Sequence, residues 1–365
     1  MKNTTKISLL AIAAGLILIG VGFAITGGNW KAFAGKKSTI NQTNYEYECT
    51  GNISAIDFED TYEGVVFTTG DVSKATVSYY ITEGHDKVNI KESNGTLCFE
   101  REELDKANFT MFVFDYVDTK TVITLPKDFE GPIKADATSG SITVKDLKNS
   151  ELQISNKSGS IKIENVAMSK EITATNTSGS IHVNNLTSTG NITIESSSGS
   201  VRADGINCKD FSAKASSGSV HADNLECDNL TAHSNSGSVR VNNATVKSAI
   251  DTKTTSGSTH VEQASCSSLE SKANSGSINL DDVKADTVKC ENSSGGIHLD
   301  KLDVTKAATL KASSGSINGT MKGKETDFSI IASTTSGLCN LKGSREGEKT
   351  LDANTTSGSI NIKFE

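Results

Sequence analysis

From residue 139 to the C-terminus the hydrophobic and polar positions recur with a period of 19 to 22 residues. The mark of each unit is Ser-Gly, whose glycines are Gly140, Gly159, Gly179, Gly199, Gly218, Gly237, Gly257, Gly276, Gly295, Gly315, Gly337 and Gly358. Apolar residues stand two and four positions later, as in Ile161 and Ile163, Ile181 and Val183, Val239 and Val241. Apolar positions two apart describe a strand with one buried face. An Asn- or Asp-rich turn follows, for example Asn184-Asn185 and Asp223-Asn224, and then one apolar residue folds back, as at Val166, Leu186 and Leu225. A second strand precedes the next Ser-Gly, with Ile172 and Ala174 or Leu230 and Ala232 inward. Each unit therefore predicts two short strands and two turns. The period of two excludes helical repeats, and the fixed longer period predicts a solenoid.

Stacking such units gives an all-β chain, a parallel β-solenoid of about twelve rungs over residues 132–365. With strands about 4.8 Å apart, twelve rungs make a rod of roughly 55 Å. The serine before each glycine is expected at a tight corner, with hydroxyls bonding along the stack. The glycine there supplies either positive φ or room for close backbone approach.

Upstream the pattern changes. Residues 44–131 read as an irregular acidic β region that caps the first rung, with strand-like runs at 64–67, 75–81, 87–90, 97–100, 109–117 and 121–125. Asn94-Gly95 is a hairpin signal between two of them. Residues 27–43 read as a polar linker. Residues 7–26 lack any charge, and about 20 apolar residues suffice to cross a bilayer as a helix. Lys2 and Lys6, in the short tail 1–6, favour a cytoplasmic N-terminus, and Trp30 sits where an interfacial aromatic belongs. The expectation is a single-pass membrane anchor with the solenoid outside the cell. A secreted chain, cleaved after Ala32-Phe33-Ala34, is the alternative.

Composition narrows the function. The chain has 365 residues, 35% hydrophobic and 5% aromatic, with 31 Gly and 2 Pro. Two prolines exclude collagen, and the glycines exclude a coiled coil. A net charge of −8 argues against a nucleic-acid partner. The charge is uneven: +5 over residues 1–43, −11 over 44–131 and −2 over 132–365.

The third position after each glycine faces outward and forms a candidate ligand column: Lys162, His182, Arg202, His221, Arg240, His260 and His298. It reads either as a basic stripe for a polyanion or a metal-binding ladder, or as a solvated strand face. Successive histidines lie two rungs apart, about 9–10 Å, which is too far for one zinc ion. The fifth position is acidic or amide (Glu164, Asn184, Asp204, Asp223, Asn242, Glu262, Asp281, Asp300) and offsets the basic column. No cofactor is implied, because no phosphate loop, dinucleotide fingerprint or calcium nonapeptide recurs. No carboxylate cluster breaks the ladder, and beyond residue 132 the only aromatics are Phe211, Phe328 and Phe364, so neither a catalytic set nor a sugar-stacking cleft emerges. Of seven cysteines, Cys208 and Cys227 occupy equivalent positions on adjacent rungs, within disulfide range; the scatter of the others fits small buried hydrophobes.

The run Val122-Ile123-Thr124-Leu125-Pro126, the stretch 135–141 (ADATSGS) and the repeated SGSI or SGSV units resemble a bacterial candidate-adhesin β-strand-repeat family of unknown function. The resemblance covers about residues 40–365 and implies an N-terminal transmembrane helix, an irregular β segment and a solenoid. It supplies no catalytic residues. The expected function is a non-enzymatic, membrane-anchored envelope protein serving adhesion or envelope-stress interactions, with a protein or glycan as surface partner. A carbohydrate-active β-helix enzyme and a cytoplasm-facing stress scaffold are the alternatives.

Overall fold

The structure, a computed structural model, describes residues 42–104 and 120–365. The expected tail and membrane helix, almost all of the linker, and the strand-like run at 109–117 lie outside the described residues. Among the described residues no helix is long and apolar enough to cross a membrane.

The described strands form one continuous sheet wound into a parallel β-solenoid. Successive units pair in register, one repeat apart: Leu152 opposite Ile172, Ile161 opposite Ile181, His182 opposite Arg202. All twelve Ser-Gly corners stack in one column and delimit about eleven turns. The interior is a thin layer of Ile, Val, Leu and Ala, with Phe211 and Cys290 as occasional members.

The Asn/Asp turn turns out to be a single residue inside a bent strand. In Ile161–Met168, residues 161, 163, 166 and 168 are buried, so the alternation slips by one at Asn165. Asn165 has φ 52°, and its equivalents Asp146, Asn185, Asn224, Asn243, Gln263, Asp282 and Lys301 share this left-handed conformation. Short polar side chains such as Asn and Asp tolerate that region best, and the slip returns the next apolar residue to the core. Their amides form part of a ladder: Asn165 Nδ2 donates to Asp146 Oδ1 (3.0 Å) and Asn185 Nδ2 to Asn165 Oδ1 (2.9 Å).

The corner glycines are there mainly for space. Only Gly140 and Gly159 in the column have positive φ. A Cβ on Gly199 or Gly218 would sit 2.1 Å from the carbonyl oxygen of the glycine one rung below. The hydroxyl ladder belongs to the serine after glycine, correcting the expectation for the serine before it. Ser200 Oγ accepts from Ser219 N (3.2 Å), and Ser219 Oγ from Ser238 N (3.2 Å).

Both ends depart from chain order. The segment expected as an irregular cap contains two further turns of the solenoid. Strands β1 (Gln42–Glu48), β2 (Ala55–Asp60), β3 (Gly64–Gly70), β4 (Thr76–Thr82), β5 (Asp86–Ser93), β6 (Thr96–Glu103) and β7 (Lys120–Pro126) precede β8 (Ile133–Ala137) and β9 (Ile142–Asn149). The β2/β3 turn lies between β8/β9 on one side and β6/β7 on the other, all parallel. Among the described strands only β1, β4 and β5 join the sheet antiparallel, and they act as a cap, with the expected Asn94-Gly95 hairpin joining β5 to β6. Strand β1 begins at Gln42, inside the stretch expected as linker. At the other end, the last repeat, Lys349–Thr355 with Ile360–Phe364, is inserted between Ile297–Met321 and the earlier repeat containing Phe328–Thr334. The tip of the rod is therefore Phe328–Thr334 with residues 338–341, not the C-terminal repeat.

Candidate functional site

The outer face of the bent strand carries the predicted column. Parallel pairing places Lys162, His182, Arg202, His221, Arg240 and His260 on six consecutive rungs, followed by Asn279 and His298. The acidic column runs beside it on the same face. Lys162 Nζ meets Glu164 Oε1 at 2.9 Å, Arg202 Nη2 meets Asp223 Oδ2 at 3.6 Å and His260 Nε2 meets Glu262 Oε2 at 3.3 Å. Part of the face is a shallow groove of about 650 Å³, lined by Arg202, His221, Arg240, His260 and their acidic neighbours. The two columns thus interlock instead of forming an isolated basic stripe. Where Glu262, Asp281 and Asp300 stack on consecutive rungs, partial burial pushes the Asp281 carboxyl above its usual range, and its two acidic neighbours push the same way. Among the described residues no group of three His, Cys, Asp or Glu side chains is disposed to hold a metal ion.

Cys49, Cys208, Cys227 and Cys290 are buried, whereas Cys98, Cys266 and Cys339 are half-buried, Cys98 on the outward side of β6. All seven are free thiols. Cys208 and Cys227 lie on adjacent turns, and burial pushes each thiol up to about 12. Cys290 is likewise pushed up to about 12 by burial alone. A thiol held neutral is a weak nucleophile and a poor metal ligand.

Two arrangements escaped the sequence reading. One is a polar column three residues before the corner glycine, present on eight of the twelve rungs and replaced by Ala137, Ala215, Ala273 and Ala312 on the others. Asn176 Nδ2 donates to Gly159 O (2.6 Å), while its Oδ1 accepts from Ser178 N (3.1 Å) and Gly179 N (2.9 Å). Ser234 and Thr254 bridge their corners in the same way. The signal was present as Asn156, Asn176, Ser196, Ser234, Thr254 and Asn292, short hydrogen-bonding residues ending an apolar strand.

The other is a buried charge cluster in the first turns. Arg101 is 3% exposed. Its Nε lies 3.1 Å from Asp60 Oδ2, its Nη1 donates to Asp86 Oδ2 (2.8 Å) and Tyr80 O (3.0 Å), and its Nη2 donates to Thr121 Oγ1 (3.1 Å). The guanidinium also stands 4.8 Å from the centre of the Tyr80 ring. Burial raises the Asp60 carboxyl, and Arg101 opposes that rise. The cluster pins β2, β4, β5, β6 and β7 together. A cleft of about 590 Å³ lined by Glu59, Glu100, Glu102 and Glu103 opens beside Asp60 and Arg101. Asp60 Oδ1 nevertheless accepts from Tyr62 N and Glu63 N (3.1 Å each) and Asp86 Oδ1 from Thr82 N, so both carboxylates are already committed and the cluster reads as structure.

Such a molecule, a repeat scaffold with continuous surface ladders, belongs to the class of parallel β-solenoids. The chain is a member of the Toastrack DUF4097 family, whose model matches residues 53–225, 168–253 and 226–365. Among solved structures it is similar to a candidate adhesin from Bacteroides fragilis (11% identity, 88% of this chain and 97% of that one, TM-score 0.32). A candidate cell adhesion protein from Clostridium sporogenes (10%, 89% and 100%, TM-score 0.20) and a candidate lipid binding protein from Parabacteroides distasonis (15%, 89% and 98%, TM-score 0.29) are also similar. No curated protein matches the chain.

Proposed function

We propose that the protein is a non-enzymatic, membrane-anchored envelope scaffold that presents its solenoid outside the cell as a binding surface for a protein or glycan. The observation that carries this reading is the in-register outer face, whose charged side chains follow the columns from Lys162 to Asp300 without a break that gathers acids and bases around one point. Hydrolysis of a glycan needs two carboxylates flanking a bound sugar, and the stacked Glu262, Asp281 and Asp300 lie on an open face far from any Tyr or Trp in sequence. The uncharged run 7–26 supports the anchor.

The test is topology. A reporter fused to the C-terminus is expected to be active outside the cell, and protease added to intact cells is expected to release the rod. A rod released into the medium without protease indicates cleavage near Ala34. A reporter active only in the cytoplasm, with the rod fully protected, moves the protein to the scaffold reading. Turnover in a glycan-hydrolysis screen that is lost in Asp281→Asn sinks the non-enzymatic assignment.

A further inference from the structure

The outer face of the bent strand is self-complementary. Across it run, in order, a serine column, the basic column, the acidic column and the left-handed Asn/Asp column. From Lys162 to Asn242 the fixed charges balance: Lys162, Arg202 and Arg240 on one side, Glu164, Asp204 and Asp223 on the other. A linear polyanion laid along the basic column would run beside an acidic column of equal charge. The surface that fits both columns at once is another surface of the same kind.

We propose that this face pairs with the same face of a second copy of the chain, the two rods parallel and related by a two-fold axis that runs along the rod between the columns. Rotation about that axis exchanges left and right but keeps the rung number. The basic column of each copy then lies over the acidic column of the other, rung by rung: Lys162 over Glu164 and Arg202 over Asp204, each contact occurring twice. The opposite sense, with the rods antiparallel, places cation over cation and acid over acid, so charge fixes the orientation. The same rotation sets the serine column over the Asn/Asp column, both able to donate and accept hydrogen bonds.

The size is sufficient. Eight rungs from Lys162 to His298 span about 34 Å at 4.8 Å per rung, and five residues of strand span about 17 Å. That is roughly 1,100 Å² over the two copies, just above the ~1,000 Å² a specific interface requires. Beyond Asn242 carboxylates outnumber fixed cations, with Glu262, Asp281 and Asp300 facing His260, Asn279 and His298. The balanced rungs 162–242 are therefore the centre of the contact. The proposal goes beyond the envelope role and does not depend on which side of the membrane holds the rod.

Charge exchange tests it. One full-length variant carries Lys162→Glu and Arg202→Glu; another carries Glu164→Lys and Asp204→Lys. All four positions face solvent, and each variant is checked for an unchanged β spectrum and melting curve. Sedimentation in detergent should show the wild type dimerising, and each variant alone self-associating at least about tenfold more weakly, because like charges then face each other. An equimolar mixture of the two variants should regain the dimer, and added salt should weaken it. A wild type that stays monomeric at the highest concentration reached, variants that dimerise alone as tightly as the wild type, or a mixture that does not associate each overturn the proposal.

Discussion

A corner glycine and a bend glycine look alike in the sequence and do different work. At Gly218 an added Cβ would lie 2.1 Å from the Gly199 carbonyl oxygen, which is held by its own rung and cannot retreat. At Gly205, φ is 68° and an added Cβ meets nothing nearer than 3.5 Å. Gly218→Ala is therefore expected to cost about 1–3 kcal/mol, as overpacking does, and to lower the melting temperature. Gly205→Asn joins a column that already favours Asn and should be neutral within about 0.5 kcal/mol. Thermal unfolding of the two variants checks both; equal losses would show that space at the corner is not the constraint. A second residue-scale device clips the cap. Glu92 accepts from Tyr47 OH (2.7 Å), Thr50 N (2.7 Å) and Gly51 N (3.0 Å). The Tyr47 hydrogen bond and the two amides lower its carboxyl from 4.5 to about 2, and the same bond raises Tyr47 from 10.0 to about 12. A depressed acid stabilises fully above its unfolded value, and that stability disappears as pH falls through the folded one. A raised phenol stabilises fully below its unfolded value and fails as pH climbs through the folded one. The clip therefore holds from about pH 4.5 to 10, and the stability difference between wild type and Glu92→Gln should shrink as pH drops from 4.5 to 2. Denaturant melts at a series of pH values measure it, and a constant difference would dispose of the clip.

At the scale of elements, the end repeats do not stack in chain order. Lys349–Thr355 has a parallel neighbour on each side, Ala307–Ala312 and Phe328–Thr334. Phe328–Thr334 has one parallel neighbour, with a single antiparallel bridge from Ser344 to Ile330 on its other side. Its rung also leaves Ile331 and Leu338 60% and 82% exposed. Protection against amide exchange follows burial and bonding, so residues 351–355, near the chain terminus, should exchange more slowly than residues 329–334. Faster exchange at the terminus would contradict the inserted order. The repeat columns were legible because each rung repeats the same inward residues, and Asn94-Gly95 was legible because one dipeptide suits both positive-φ positions of its turn. The insertion was not, because Ile360 fits equally well above Ile317 or above Cys339; the column chemistry is degenerate, and only the connections 322–327 and 342–348 decide which rung lands first. The cap misled for a related reason. The β2/β3 turn (Ala55–Asp60, Gly64–Gly70) and the β6/β7 turn (Thr96–Glu103, Lys120–Pro126) lack Ser-Gly, so two true turns carried none of the mark that identified the others.

At the scale of the whole molecule, the candidate face was legible as columns but not as a site, since its meaning lies in how the basic and acidic columns sit side by side. The buried Arg101 cluster was invisible for the opposite reason: Asp60, Asp86 and Arg101 are far apart in sequence and follow no period. Away from that cluster each turn contacts chiefly its two neighbours, so stability should add turn by turn. Removing residues 200–218 joins Gly199 to Ser219 and takes out one unit in phase. Strand Ile181–Ser188 then meets Val220 where it had met Val201, and the serine, glycine and apolar columns all close again. Removing residues 200–209 takes out half a unit and brings inward and outward positions out of step. The in-phase deletion is expected to keep a cooperative unfolding transition and a β spectrum, with only a small change in melting temperature. The half-unit deletion is expected to lose the transition. Circular dichroism during heating distinguishes them, and similar behaviour of the two chains would mean that the solenoid is not a stack of interchangeable units.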